Sequence, residues 1–467
     1  MQSSTAVKRS KYICRFSAVF IAFLSMISLI VARPAVAQDN LSGTLFIVTS
    51  FPPALFEKFR TAFEERHPEV KVFVRSKKTS AAISFIEERI TEPVDLFWAS
   101  APDAFEVLKE SGHLRKVLDD KVNSDAYIGS YPIDDPDGYY KGFAVSGYSL
   151  VWNREYLERN GLSTPQNWKD LTDPAYKRHI GISAPSRSGT THLIVESILQ
   201  SQGWTEGWST LLEIGGNLAT ITARSFGVID GIRSDRFGIG AAIDFFGQSA
   251  KASGAPVDFT YPDGTAFLPA NIAMVKRSMN PDAARAFIEF VLSDTGQMML
   301  FDPQISRLPV MQSVYEHAPP SYPNPFDDEL ADKGISFDTD LSRRSYHLVN
   351  SLFDVMITYR LQLLRRTWSA IHEAERILKE SDNEQLTARI QEARRLASMT
   401  PVNSEEASTA EFASLFVRHK PGIPVSFEQK RLESEWAVFA RSNQDRALNL
   451  ANEVLSRLRD RQKRLKQ

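Results

Sequence analysis

Apolar positions in the first three hundred residues come in short blocks, and the blocks alternate in kind. Residues 44–50 form a β-rich run, Phe51-Pro52-Pro53 follows, and an amphipathic stretch covers residues 55–66. Proline suits the first turn of a helix. Residues 70–74 are a second strand, followed by Lys77-Lys78-Thr79-Ser80 and a helical pattern to residue 90. Residues 94–98 are a third, and Ser100-Ala101-Pro102 opens a helix over residues 103–110. Strand, polar turn and helix, three times over, predict a parallel sheet with crossover helices. Further strand runs stand at 143–152, 179–183, 238–246 and 268–275, with helices at 153–159, 189–200 and 281–292. Trp168, Asp170, Leu171 and Pro174 mark a turn-rich segment between them.

From about residue 340 the period becomes helical. Val349, Leu352, Phe353, Met356, Leu363, Leu364, Ile371 and Leu378 recur at helix spacing, as do Leu432, Trp436, Phe439, Leu448, Ala451, Leu455, Leu458 and Leu465. Proline is absent from both stretches, and polar sequence with Pro401, Pro421 and Pro424 separates them. This predicts two long amphipathic helices packed as an antiparallel pair. Phe353, Met356, Trp436 and Phe439 supply more apolar surface than such a pair buries by itself. This helical C-terminal stretch is therefore expected to pack against the α/β part that precedes it and to offer its outer face to a membrane partner.

The N-terminus carries a different signal. Lys8, Arg9, Lys11 and Arg15 precede an apolar core at residues 16–31, and Ala35-Val36-Ala37 is a small-x-small cleavage site before Gln38. Sixteen residues interrupted by Ser17, Ser25 and Ser28 are short for a membrane span. Residues 1–37 are therefore expected to be a cleaved export signal, with the mature protein in the periplasm. The whole chain has a formal net charge of -2, and losing this basic leader takes the mature chain to about -7. No broad basic face for nucleic acid is expected from such a balance. The single cysteine, Cys14, sits in the leader. The mature chain thus folds without disulfides, and thiol catalysis is excluded.

The chemistry concentrates at strand-to-helix turns. Ser186, Arg187, Ser188, Gly189, Thr190 and His192 lie directly before or within the first turn of an apolar helix. Backbone N–H groups and the positive helix end meet an anion at such a place, although serine and threonine there also serve as plain caps. Thr49, Ser50, Thr79, Ser80 and Ser100 occupy the equivalent turns of the first lobe, and Arg224-Ser225 precede another helix start at Phe226. Hydroxyls at several helix starts plus two arginines describe a site for a small multi-oxygen anion, since arginine grips phosphate or carboxylate bidentately. Asp244 joins the candidate set. Each arginine is expected to contribute roughly 1.5–3 kcal/mol and each hydroxyl roughly 0.5–1.5 kcal/mol. His192 has two open readings, ligand contact or hydrogen-bonded structural residue.

Residues 184–197, 203–208 and 216–228 resemble the extracellular solute-binding proteins, a family that includes ferric-ion and sugar-phosphate binders and phosphoglycerate-responsive regulators. The resemblance runs from about residue 44 to the C-terminus. It implies an α/β fold: a two-lobed periplasmic-binding-protein clamp (type II) with a helical C-terminal extension. The expected divisions are 38–140 with 268–335 for the first α/β lobe, 141–267 for the second and 340–467 for the extension. It implies a small anionic solute such as phosphoglycerate, and as partner a membrane sensor kinase or an ABC permease.

Three functions stay open at this point: a sensor component, an importer subunit for an organic phosphate, sugar or ferric iron, and a secreted phosphoesterase. The eight histidines show no metal-ligand spacing, so no metal and no cofactor is expected. Ferric relatives use adjacent tyrosines late in the second lobe. The corresponding positions here are Phe245 and Phe246, while Tyr139-Tyr140 comes earlier and is expected near the hinge. Ser188 and His192 stand four apart with no acid in evidence to orient the imidazole, and no Gly-x-Ser-x-Gly elbow occurs, which disfavours a hydrolase.

Overall fold

Strands β1 (Gly43–Thr49), β2 (Val70–Ser76) and β3 (Leu96–Ala99) run parallel in the order β2-β1-β3. Helices α1 (Pro53–Arg66), α2 (Thr79–Glu88) and α3 (Pro102–Glu110) carry the chain back between and beyond them. Pro53 opens α1, and Leu55, Phe56, Phe59 and Phe63 form its buried stripe at spacings of one, three and four. The rings of Phe59 and Phe63 meet Trp98 and Phe287 edge-on, at 5.4 and 5.0 Å between centroids. The computed structural model describes residues 41–88, 92–117, 127–128, 131–379, 383–417 and 424–465. The expected export signal at residues 1–37 lies outside them.

One long strand ties the molecule together. β4 (Tyr140–Asn153) is buried along all of its 14 residues, as a strand covered on both faces must be. β5 (Ile180–Ser183), β6 (Leu218–Thr222) and β7 (Ile239–Ile243) form a second parallel set, with β7 antiparallel to the later half of β4. β8 (Val257–Thr260) pairs with that half as well. β9 (Phe267–Val275) crosses back to pair with the earlier half of β4 and with β3, and β10 (Leu308–Pro309) joins β4 at Val145 and Ala144. The path is β2-β1-β3-β9-β4-β7-β5-β6. The molecule is thus a pair of α/β lobes joined by β4 and β9. Tyr140 opens β4 and packs on Phe105 at 5.4 Å in the first lobe's core.

The second lobe adds α4 (Gly189–Gln202), α5 (Trp204–Asn217), α6 (Phe226–Arg233) and α7 (Asp244–Ala252), and α8 (Pro281–Leu292) closes the first. The strand run expected at 238–246 stops at Ile243, and α7 begins at Asp244.

The extension is larger than a pair of helices. It comprises α9 (Thr339–Met356), α10 (Leu361–Leu378), α11 (Glu384–Ser398) and α12 (Phe427–Leu465), besides two shorter turns of helix. Ile357, Thr358 and Tyr359 interrupt the first periodic stretch, with a tight turn at Thr358–Arg360. A β-branched, β-branched, aromatic run is a poor place to continue a helix. α11 occupies the polar connector, where Leu386, Ile390, Ala393, Leu396 and Ala397 make a stripe too sparse to read beforehand.

The extension shares one hydrophobic core with the second lobe: Leu193, Trp208 and Leu212 are in it with Leu352, Phe353, Trp368 and Trp436. α5 and α10 touch backbone to side chain. A Cβ on Gly216 would stand 2.5 Å from that of Trp368, and one on Gly215 2.4 Å from Leu364. Two adjacent helical glycines, each costing about 1 kcal/mol against alanine, mark that approach. Among the described residues no helix is long and apolar enough to cross a membrane.

Candidate functional site

Parallel strands deliver their carboxyl ends to one edge, and ligands of such sheets bind there. The first lobe ends at Thr49, Ser76 and Ala99, the second at Ser183, Thr222 and Ile243. Asn271 of β9 lies opposite both Ala99 and Gly142, while Tyr148 of β4 lies opposite Ile243. Both sets of ends therefore converge on residues 143–147 of β4.

The polar groups at this convergence are buried and underused. The Ser50 and Ser183 hydroxyls are buried with no hydrogen-bond partner among the described residues. Both amide atoms of Asn271, which is wholly buried beside a bulge in β9, are likewise unpartnered. So are both amide atoms of Gln248, one turn along α7 from Asp244. Buried polar groups are nearly always satisfied, and three of these, Ser50, Ser183 and Asn271, stand where the strand ends converge, as the groups of a ligand site do.

Arg307 sits among them. It precedes β10 opposite Ser146 and is only 2% exposed. Its Nη1 donates to the Ser146 hydroxyl at 3.3 Å, while Nε is buried without a partner. The guanidinium carbon lies 4.7 Å from the Phe51 ring centroid and 3.9 Å from that of Phe245. Burial draws its pKa down to about 10, so it stays charged at neutral pH. Asp244 is wholly buried and accepts from the backbone N–H of Gly147 at 2.7 Å, that of Phe245 at 2.7 Å and the Tyr261 hydroxyl at 2.9 Å. Burial nonetheless pushes its pKa up to about 7, against those hydrogen bonds and the nearby Arg307.

The expected residues divide. Thr49 spends its hydroxyl on the turn, donating to the Trp98 carbonyl at 2.7 Å and accepting from Phe51 N–H at 3.1 Å. Ser188 caps α4, accepting from the N–H and hydroxyl of Thr191 at 3.2 and 3.1 Å. Ser100, Thr79, Ser186, Thr190 and Ser225 are half-buried at their turns, Gly189 is exposed, and the side chain of Ser80 lies outside the described residues. Arg187 is exposed and close enough to Tyr359 of the extension to act on it electrostatically. Arg224 is exposed, 6.0 Å from the Phe226 ring.

His192 is a correction to its reading as a ligand contact. It is 1% exposed, and its Nδ1 and Nε2 are bonded to Asn350 at 3.0 Å and Ser342 at 3.1 Å, both on α9. Its ring packs on Tyr346 at 4.1 Å, and burial pulls its pKa down to about 3. The extension has claimed it.

Arg307, Asn271 and Gln248 escaped the sequence reading, which looked for hydroxyls and arginines at helix starts. The available signal was one arginine between Ile305 and Leu308-Pro309-Val310. Phe245 and Phe246 pack ring to ring at 4.5 Å, and among the described residues no three His, Cys, Asp or Glu side chains cluster to hold a metal.

Residues 91–329 match the bacterial extracellular solute-binding protein family. The chain belongs to that family. It is 31% identical over 417 residues to the phosphoglycerate transport regulatory protein PgtC of Salmonella typhimurium, covering 88% of this chain and 98% of that one. Among solved structures it is similar to the periplasmic binding protein AfuA of Actinobacillus pleuropneumoniae with fructose 6-phosphate bound, at a TM-score of 0.58 and 20% identity. Iron-bound HitA of Pseudomonas aeruginosa gives 0.57 and 17%. These cover 67% and 66% of this chain but 98% of their own, which leaves about a third of this chain unmatched.

Proposed function

We propose that this chain is a non-enzymatic periplasmic receptor for a small phosphorylated or carboxylated solute of the phosphoglycerate kind, and that it relays occupancy to a membrane sensor kinase. The observation that carries this is the set of buried, unpartnered polar groups of Ser50, Ser183 and Asn271, drawn from both lobes and the strand between them. The kinship with PgtC supports the solute class and the relay, since that similarity spans 88% of the chain and so takes in much of the extension. In this reading the lobes are residues 38–140 with 268–335, and 141–267. An export signal ending at Ala37 delivers the chain, and Arg187, Arg224 and the hydroxyls of Ser186 and Thr190 line the approach.

The second reading, an importer subunit for an organic phosphate, sugar or ferric iron, is favoured by the fold shared with AfuA and HitA. Phe245 and Phe246 weigh against iron, having no oxygen to give. Calorimetry with 2- and 3-phosphoglycerate, fructose 6-phosphate, glycerate and ferric citrate tests the ligand class. Binding of a phosphorylated solute without phosphate release is expected. Turnover would make the protein a phosphoesterase, and a stoichiometric iron complex with a tyrosinate band would overturn the anion reading. Capture of a kinase ectodomain rather than a permease separates sensor from importer subunit.

A further inference from the structure

A guanidinium is planar, with five N–H donors in the plane and two faces that suit aromatic rings. Both kinds of surface matter at Arg307. Phe51, from the turn after β1, and Phe245, in the first turn of α7, lie 4.7 and 3.9 Å from its central carbon. One ring comes from each lobe, and Ser146 on the connecting strand takes Nη1 at 3.3 Å. The rings hold the cation by cation–π attraction and keep water from it. Nε, in the plane, is buried and has no partner among the described residues. No described carboxylate is hydrogen-bonded to this side chain, and Asp244 acts on it only through its charge. A buried cation without a hydrogen-bonded counter-charge is costly, and a protein keeps one where an anion will arrive.

We propose that Arg307 is the anion anchor of the interlobe site, presenting its in-plane donors to a phosphate or carboxylate of the solute while Phe51 and Phe245 hold it from either lobe. This rests on the receptor reading above and assigns the residue that recognises charge. A guanidinium touched by both lobes and by their connecting strand registers an arriving oxyanion in all three at once. The unpartnered Ser50 and Ser183 hydroxyls and the Asn271 amide are then left for the solute's remaining oxygens. Asp244 is the competing charge: Arg307, Tyr148, Tyr261, Tyr315 and Tyr322 interact with it electrostatically.

The test uses the full mature chain with 3-phosphoglycerate and, if that does not bind, fructose 6-phosphate. Calorimetry on wild type, Arg307→Gln and Arg307→Lys gives affinity, and thermal melting without solute reports folding. Arg307→Gln is expected to lower affinity roughly 10–100-fold, as loss of a charge-assisted contact does, while its unliganded melting temperature holds or rises because a buried charge is gone. Arg307→Lys, which keeps the charge but not the planar fork, should lose less. Arg307→Gln that is folded and binds with wild-type affinity overturns the assignment. A lowered unliganded melting temperature with undiminished affinity makes the residue structural and overturns it too. If Arg307→Gln does not fold, Arg307→Lys decides: undiminished affinity there defeats the in-plane grip. Wild type that binds neither solute defeats the receptor reading instead.

Discussion

The bond between α4 and the extension can be read out by pH. His192 stands at the start of α4 with both ring nitrogens committed to α9. Glu196, one turn on, takes the Ser345 hydroxyl at 2.7 Å, and burial raises its pKa. His192 is therefore held neutral near pH 7. An unfolded histidine titrates near 6.5, whereas burial pulls His192 down to about 3. The folded pKa lies below the unfolded one, so this group's stabilisation is fully present above pH 6.5 and is lost as pH falls toward 3. Linkage over that window makes the loss between pH 7.5 and pH 5 about 2 kcal/mol. His192→Gln cannot take a proton there, so the stability of wild type minus that of the variant should fall by that amount between the two pH values. Urea unfolding followed by the fluorescence of Trp208 and Trp368, buried in the same core, measures the difference, and unrelated titrations cancel in it. A difference flat from pH 7.5 to 5 would refute the reasoning. Solute affinity of the variant at pH 7.5 should equal wild type, and a folded variant that fails to bind would return the imidazole to the site.

Asp244 has the opposite sign. With its pKa pushed up to about 7, its favourable term is present below about pH 3.8 and is lost as pH rises through 7, so Asp244→Asn should gain stability relative to wild type across that range in urea titrations at stepped pH. Arg187→Ala and Arg224→Ala, both exposed, should weaken solute binding by roughly 0.5–1.5 kcal/mol each, at the low end for an arginine. Calorimetry showing no change in either places the anion away from both turns. A chain ending at residue 338 loses half of the core shared with the second lobe and should melt without cooperativity. A sharp circular-dichroism transition from that fragment would show that the lobe folds without its extension.

The alternation of strand and helix was legible because each lobe is built from local patterns: β1, α1 and α2 read cleanly from one stripe and one proline. The extension was legible as helical but not in its number, because Ile357-Thr358-Tyr359 breaks a stripe whose period continues on either side and α11 hides in polar sequence. The site was legible only where ligand groups coincide with caps. Ser188 and Thr49 show why that signal misleads, for the hydroxyl that suits an anion also suits a turn. His192 stayed open between two readings for a different reason: its partners Ser342 and Asn350 lie about 150 residues away, beyond any spacing rule. Arg307 and Asn271 become chemical only when two lobes and a connecting strand meet, which no local window contains.

A motion of one lobe against the other must carry the extension as part of the second. The links between them are buried or half-buried and charged or hydrogen-bonded: Glu213 to His372 at 2.8 Å and to Arg394 at 2.7 Å, and Arg365 to the carbonyls of Leu218 and Ala219 at 2.7 and 2.5 Å. Breaking such pairs leaves uncompensated polar groups, which is far costlier than bending two strands. The contacts between α9 and the first lobe are of another kind. Half-buried Arg343 meets exposed Glu110 at 3.2 Å, and Tyr131 is hydrogen-bonded to Thr339 at the start of the helix. A solvent-accessible ion pair contributes about 0–1 kcal/mol, so the Arg343–Glu110 pair by itself can part at small cost. This seam lies at the start of α9, three residues before Ser342 meets the ring of His192.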